Sequence, residues 1–331
     1  NTLFTNTTGS YNTAYGAYSL YSNTTASQST AVGYQSLYSN TVGGNNAHGY
    51  QAGYSNTTGG IDCFGYQALK SNTTGDANNA FGYLTLTSNT TGARNTAMGQ
   101  QALTSNTTAS NNTAVGYQAL YAATTNGRNT AVGYQAGYNT AAGSGNNGNS
   151  FLGYRAGYGT ANAYYVSAFG YSALETNSSG IYLDAFGANA LTANTTGSYN
   201  ATFGASSLAA NSTGSYNTAV GSYALTSSTT ASRNTGVGYY AGYWNTTGVS
   251  LTAIGIGALS SNTTGSHNTA VGDAAMQSNT TASDNTALGY QAGYGNTTGT
   301  WNSYLGYQTG FGNSTGNANT FIGLQAGYSV T

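Results

Sequence analysis

A glycine recurs along this chain at a nearly constant interval, and that interval limits the fold more than any other feature. The glycine belongs to the phrase Asn-Thr-Ala-Val-Gly-Tyr-Gln-Ala-Leu. It falls at Gly16, Gly33, Gly49, Gly65, Gly82, Gly99, Gly116, Gly133, Gly153 and Gly170. It continues at Gly187, Gly204, Gly221, Gly238, Gly255, Gly272, Gly289, Gly306 and Gly323. The interval is seventeen throughout, save for two early steps of sixteen and one of twenty from Gly133 to Gly153. A unit this short cannot bury a face alone, so the nineteen units must stack on one another. Stacked identical units give a periodic surface rather than one asymmetric catalytic pocket.

Positions are numbered here from the marker glycine. Position −1 is apolar in most units, as at Val32, Phe64, Phe81, Met98, Leu152 and Ile254, with Tyr15 and His48 as polar-capable exceptions. Position −2 is mostly Ala and position −3 mostly Thr, Ser or Asn. Such segments read as short strands broken by glycine turns. A helix is excluded, because Gly and Asn-Thr-Thr-Gly in almost every unit would interrupt it. The expectation is an all-β protein: a parallel β-solenoid, or β-roll, of about 19 coils with a 17-residue unit, continuous over residues 1–331. The apolar −1 column is expected to line its interior, and the marker glycine to supply a positive φ or a close backbone approach.

One covariation suggests a filled core. Position +4 is usually Leu, as at Leu20, Leu69 and Leu120, or else Gly, and where it is Gly an aromatic residue follows, as at Tyr54, Tyr138 and Tyr158. The expected cause is that the ring takes the volume the leucine would fill, since voids are costly.

Composition follows from stacking. Charged residues are only 3% of the chain and proline is absent. In a solenoid each column repeats every ~4.8 Å, where like charges repel by about 3.5 kcal/mol at an effective dielectric near 20. Proline would delete a ladder hydrogen bond in each coil it entered. The few ionic groups are scattered, and Arg94, Arg128, Arg233, His267 and Asp284 all fall at position −5, which reads as solvent-facing. A net charge of −1 gives no footprint for nucleic acid, and no apolar run is long enough to span a bilayer. Nineteen coils at ~4.8 Å imply a rod about 90 Å long, with an outward loop within Asn139–Asn149. The chain begins and stops in mid-phrase, as a segment of a longer fibre protein would.

Asn-Thr-Ala-Val-Gly, at 112–116, 129–133, 217–221 and 268–272, resembles the head repeats of YadA-like trimeric autotransporter adhesins. The fuller phrase at 112–120, with Ser-Asn-Thr-Thr-Gly at 71–75 and 261–265, is similar to repeats of phage tail-fibre-type proteins. The adhesin resemblance implies a parallel β-roll packed as a homotrimer outside a cell. The 17-residue unit is longer than the adhesin repeat, and a single-chain solenoid or an end-to-end filament are the other arrangements the sequence admits.

Catalysis finds no constellation. His48 and His267 lie 13 coils apart, and Cys63 is the chain's one cysteine and occupies an alanine column. Asp273 and Asp284 are in neighbouring coils but at different phases, while Asp62 and Asp184 share a phase seven coils apart. No enzyme activity, metal or cofactor is expected. His48 reads as a core or trimer-axis residue and His267 as solvated.

Two columns could act at the surface. Asn23, Asn56, Asn72, Asn89, Asn106, Asn194, Asn262, Asn279 and Asn296, at position +7, each precede a Thr two residues on and form a column of glycan-acceptor sequons. The alternative for that column is an asparagine ladder bonding its own turn. Tyr34, Tyr50, Tyr66, Tyr83, Tyr117 and Tyr134, at position +1, form a ladder that stacks to stiffen the coil or binds surfaces and sugars. The expected function is a structural extracellular fibre, a filament or adhesin shaft on a cell surface or virion appendage, with itself and cell-surface glycans as partners. The alternatives are a tail-fibre segment for host attachment and an ice-binding solenoid using Thr24-Thr25, Thr73-Thr74 and Thr263-Thr264.

Overall fold

A computed structural model describes residues 1–140 and 148–330. Most of the expected loop within Asn139–Asn149 lies outside the described residues. The chain groups into two compact units, Asn1–Tyr165 and Val166–Thr331. The first unit stacks nine short strands, β1 (Thr13–Tyr15) to β9 (Ser150–Leu152), and the second stacks ten, β10 (Val166–Phe169) to β19 (Thr320–Ile322). Each strand has three or four residues and pairs in parallel with the next one in its unit. Register follows the marker: Thr113, Ala114 and Val115 face Thr130, Ala131 and Val132. Each unit is therefore a parallel β-solenoid, one strand per coil.

The marker glycine has both of the expected reasons to be glycine. Its φ runs from 114° at Gly323 to 143° at Gly204, a region closed to other residues. A Cβ on Gly99 would also lie 2.5 Å from the carbonyl oxygen of Gly116 in the next coil. That close approach repeats along each stack, as between Gly238 and Gly255.

The interior is not where the apolar column pointed. Successive strand residues face opposite sides, and it is position −2 that turns inward: Ala31, Ala80, Ala97, Ala114, Ala219 and Ala270 are fully buried. Position −1 turns out, with Met98, Leu152, Leu288 and Leu305 between 44% and 48% exposed. A 17-residue coil encloses too little space for Phe or Met at the centre of every strand, so alanine takes that place in most coils. The rest of the core comes from the small residues at +3 (Ala68, Ala102, Ala136) and the leucines at +4 (Leu37, Leu103, Leu225).

Those leucines hold an unusual backbone. Leu37, Leu103 and Leu225 have φ of 47°, 51° and 51°, and the +2 glutamines, such as Gln35 at 55°, are alike. Left-handed backbone is costly for leucine and survives only where its surroundings enforce it. Glycine at +4 relieves that cost but leaves a gap, and the structure corrects the expected filler. The +5 rings lie outside the core, stacked on one another, as Tyr121 on Tyr138 at 5.0 Å and Tyr138 on Tyr158 at 5.0 Å. The gap is filled by an enlarged −2 residue or a neighbouring leucine. Phe151 sits between Gly137 and Gly157, Tyr304 between Gly293 and Gly310, and Phe321 beside Gly327, while Gly242 packs on Leu225.

Candidate functional site

Function in a stacked coil must come from columns, so each column that reaches solvent is a candidate. The strand face carries two of them side by side. Position −3 is mostly Thr, and position −1 is the outward apolar column. In the first unit His48 stacks on Phe64 at 4.6 Å and Phe64 on Phe81 at 5.0 Å. In the second unit Phe169, Phe186 and Phe203 stack at 4.8 Å per step. His48 is thus a ring in an outer stack, not a core histidine. Asp62 and Asp184 are the charged residues of these two columns; Asp62 Oδ1 accepts a hydrogen bond from Asn46 Nδ2 at 2.7 Å.

The +1 tyrosines stand as expected from their spacing. Tyr34, Tyr50, Tyr66 and Tyr83 stack at 5.4, 5.1 and 5.2 Å, with ring planes within 17° of parallel. Gln100 interrupts the ladder, and Tyr117 and Tyr134 resume it at 5.2 Å. All six are partly exposed. Beside them runs a glutamine ladder that the sequence reading missed: Gln51 Nε2 donates to Gln35 Oε1 at 2.8 Å and Gln67 Nε2 to Gln51 Oε1 at 2.9 Å. Its signal was the recurrent Gln two residues after the marker.

The sequon asparagines are interior. Asn23, Asn56, Asn72, Asn89, Asn106, Asn194, Asn262, Asn279 and Asn296 are fully buried. Asn89 shows the pattern: its Nδ2 donates to Asn72 Oδ1 at 2.7 Å and to the Gly92 carbonyl at 2.9 Å. Both amide protons are engaged, and a sugar on that nitrogen would break a bond and need space the coil lacks. In this structure the column forms the asparagine ladder that was its alternative reading. A second buried ladder at −4 also escaped the sequence reading, although its asparagine opens the phrase. There the Asn112 backbone N–H donates to Asn95 Oδ1 at 3.0 Å, and the Asn129 N–H to Asn112 Oδ1 at 3.0 Å.

The threonine pairs divide. At 73–74 and 263–264 the first hydroxyl donates into the next coil, Thr73 Oγ1 to the Thr90 carbonyl at 3.0 Å and Thr263 Oγ1 to the Thr280 carbonyl at 3.0 Å. In these two coils only the second threonine, Thr74 or Thr264, is exposed, whereas Thr24 and Thr25 both are. Much of the threonine array that could face ice is thereby committed to the ladder.

The −5 column is solvent-facing as read. Tyr199 stacks on Tyr216 at 5.1 Å there, and His267 Nδ1 lies 3.6 Å from Asp284 Oδ1 in the following coil. That ion pair is exposed and forms only with a protonated histidine, so it contributes little. Cys63 is buried on β4 (Ile61–Phe64), where burial pushes its thiol pKa up and away from the reactive thiolate. Among the described residues no three His, Cys, Asp or Glu side chains gather as a metal site, and no helix is long and apolar enough to cross a membrane.

No family model, curated protein or solved structure matches the chain.

Proposed function

We propose that this chain is a structural fibre segment, working outside the cell or on a virion appendage, whose solenoid units associate with further copies through their strand faces. The observation that carries this reading is the outward, largely apolar column at position −1, continued from coil to coil in each unit and flanked mostly by threonine instead of charge. Soluble monomers rarely leave a contiguous apolar patch of more than a few hundred Å² open. A partner for such a stripe must repeat at the strand spacing, and another copy of the chain meets that condition by construction. The homotrimer implied by the adhesin-like phrase is one form of such an assembly and a filament another.

The hydrogen-bond ladders support the same role. Backbone, asparagine, threonine and glutamine bonds all run from coil to coil, so unfolding any inner coil exposes groups on both neighbours. Attachment to a host surface would then draw on many weak identical sites, the regime in which avidity exceeds single-site affinity. Negative-stain electron microscopy of the purified chain tests the reading. Laterally associated fibres or trimeric spikes are expected, and dispersed single particles at all concentrations would overturn it.

A further inference from the structure

One coil of the second unit departs from the repeat in a way the ladders do not require. Position +6 is Ser, Thr, Ala, Asn or Gly in every other coil, but is Trp244 here. The same coil places tyrosine at +1, +2 and +5, as Tyr239, Tyr240 and Tyr243. The next coil answers with Gly257 at +2 and serines at 260 and 261. The mismatch opens a cavity of ≈ 530 Å³ with the aromatic cluster as one wall and Gln277 on its lining. That volume lies within the ~300–1,000 Å³ typical of small-ligand sites.

Gly257 is what keeps the cavity empty. Its φ is 65°, yet Gln67, Ser206, Tyr240 and Ala274 hold φ of 54–58° at the same position with full side chains. The backbone therefore does not demand glycine. A Cβ there would find nothing nearer than Gln277 Nε2 at 3.8 Å and Ser260 Oγ at 4.0 Å. Any ordinary residue of that column would fit and would occupy the notch.

The aromatic wall is fixed in place. Tyr240 ends a stack on Tyr223 at 5.3 Å, Tyr239 meets Tyr240 edge to face at 4.3 Å, and Tyr243 meets Trp244 at 4.7 Å and 84°. Trp244 is 56% exposed despite its size. No charged side chain lines the cavity; its polar groups are the Gln277 amide, the serine hydroxyls and the tyrosine phenols. Fixed ring faces beside neutral donors and acceptors match a pyranose, which offers a C–H face for stacking and hydroxyls for an amide. A nucleic acid or anionic sugar would call for the basic groups that are absent.

We infer that this notch is a binding site for a neutral hexopyranose glycan, with Trp244 as the stacking face, Tyr243 set at right angles beside it, and Gln277 and Ser260 holding ring hydroxyls. The site is separate from the strand-face columns and does not depend on self-association. The test uses the intact chain carrying Trp301→Tyr, a residue found in the same column at Tyr199 and Tyr216, which leaves Trp244 as the sole tryptophan. Cellohexaose, maltohexaose and mannohexaose are titrated in turn while tryptophan fluorescence is followed. At least one is expected to give a saturable change. Calorimetry on Gly257→Gln and Trp244→Ser, each restoring a residue the repeat uses elsewhere, is expected to show binding weakened by about tenfold or more, with unaltered circular dichroism. No saturable response to any of the three sugars, or full affinity in both variants, would overturn the inference.

Discussion

Asn106 donates its side-chain amide to Asn89 Oδ1 at 2.6 Å, while its own Oδ1 is buried without a partner. The next residue in the column is Ala123, which has nothing to donate. The asparagine ladder of the first unit ends there. Asn211 is left in the same condition where Ser228 follows it. Ala123→Asn should gain the bond to Asn106 Oδ1 but strand its own oxygen, because the next hydroxyl, Thr140 Oγ1, already donates to the Gly137 carbonyl, so stability should change by less than about 1 kcal/mol. Asn89→Ala should cost about 1–3 kcal/mol by orphaning Asn72 Oδ1. Urea unfolding of the three proteins measures both. Equal midpoints for the wild type and Asn89→Ala would show that the ladder contributes nothing.

Phe151 fills the space left by Gly137 and Gly157. Phe151→Ala should cost about 3–5 kcal/mol, because the cavity lies in a close-packed coil. Adding leucine at both glycines recreates the Ala-and-Leu arrangement of the other coils and should restore most of the loss. That rescue, read by the denaturation midpoint, separates volume compensation from a specific need for the phenyl ring. Leucine there also tests whether the left-handed backbone tolerates it as it does at Leu120, where φ is 52°.

Tyr304 is buried in the second unit and accepts a hydrogen bond from Asn313 Nδ2 at 2.7 Å. Burial pushes its phenol from the ordinary 10.0 up to about 12, against a smaller lowering by Asn313. The folded state thus holds the proton after the unfolded chain has lost it. The contribution is complete below about pH 10 and is lost as pH rises through about 12. Between about pH 9 and pH 11 the wild type should lose more stability than Tyr304→Phe. Parallel pH dependences in the two proteins would show that this phenol does not titrate on unfolding.

With both amide protons of Asn89 engaged, the protein from its native source should carry no glycan on this column. Mass spectrometry of the peptides that carry Asn72, Asn89 and Asn106 should return their unmodified masses. A mass ladder in sugar increments would mean that the column does not fold as described.

The glycine interval made the stacked coil legible because it reports the backbone directly. A φ of 133°, as at Gly116, and a carbonyl in the path of any Cβ admit no other residue. Which strand residue faces inward was misread, since hydrophobicity alone favoured Val32, Phe64 and Met98 over Ala31 and Ala97. Variation in size was the better signal. Position −1 accepts Val, Phe, Met, Leu, Ile, His and Tyr, a range no narrow interior could hold. The Gly-then-aromatic pairing was real but its cause was not. The compensating ring comes from position −2 of the same or the following coil, as Phe151 does for Gly157 and Gly137. The Trp244 notch could not be read from either coil alone, since it exists only where a crowded coil meets a sparse one.

The strand face can be tested most directly by sedimentation velocity over a wide concentration range. The comparison is the wild type against a variant with Phe64, Phe81, Phe186 and Phe203 all changed to threonine, a residue that keeps the strand. If that face joins copies of the chain, the wild type will shift to larger species with concentration and the variant will remain monomeric. A wild type that sediments as a monomer throughout, indistinguishable from the variant, would contradict it.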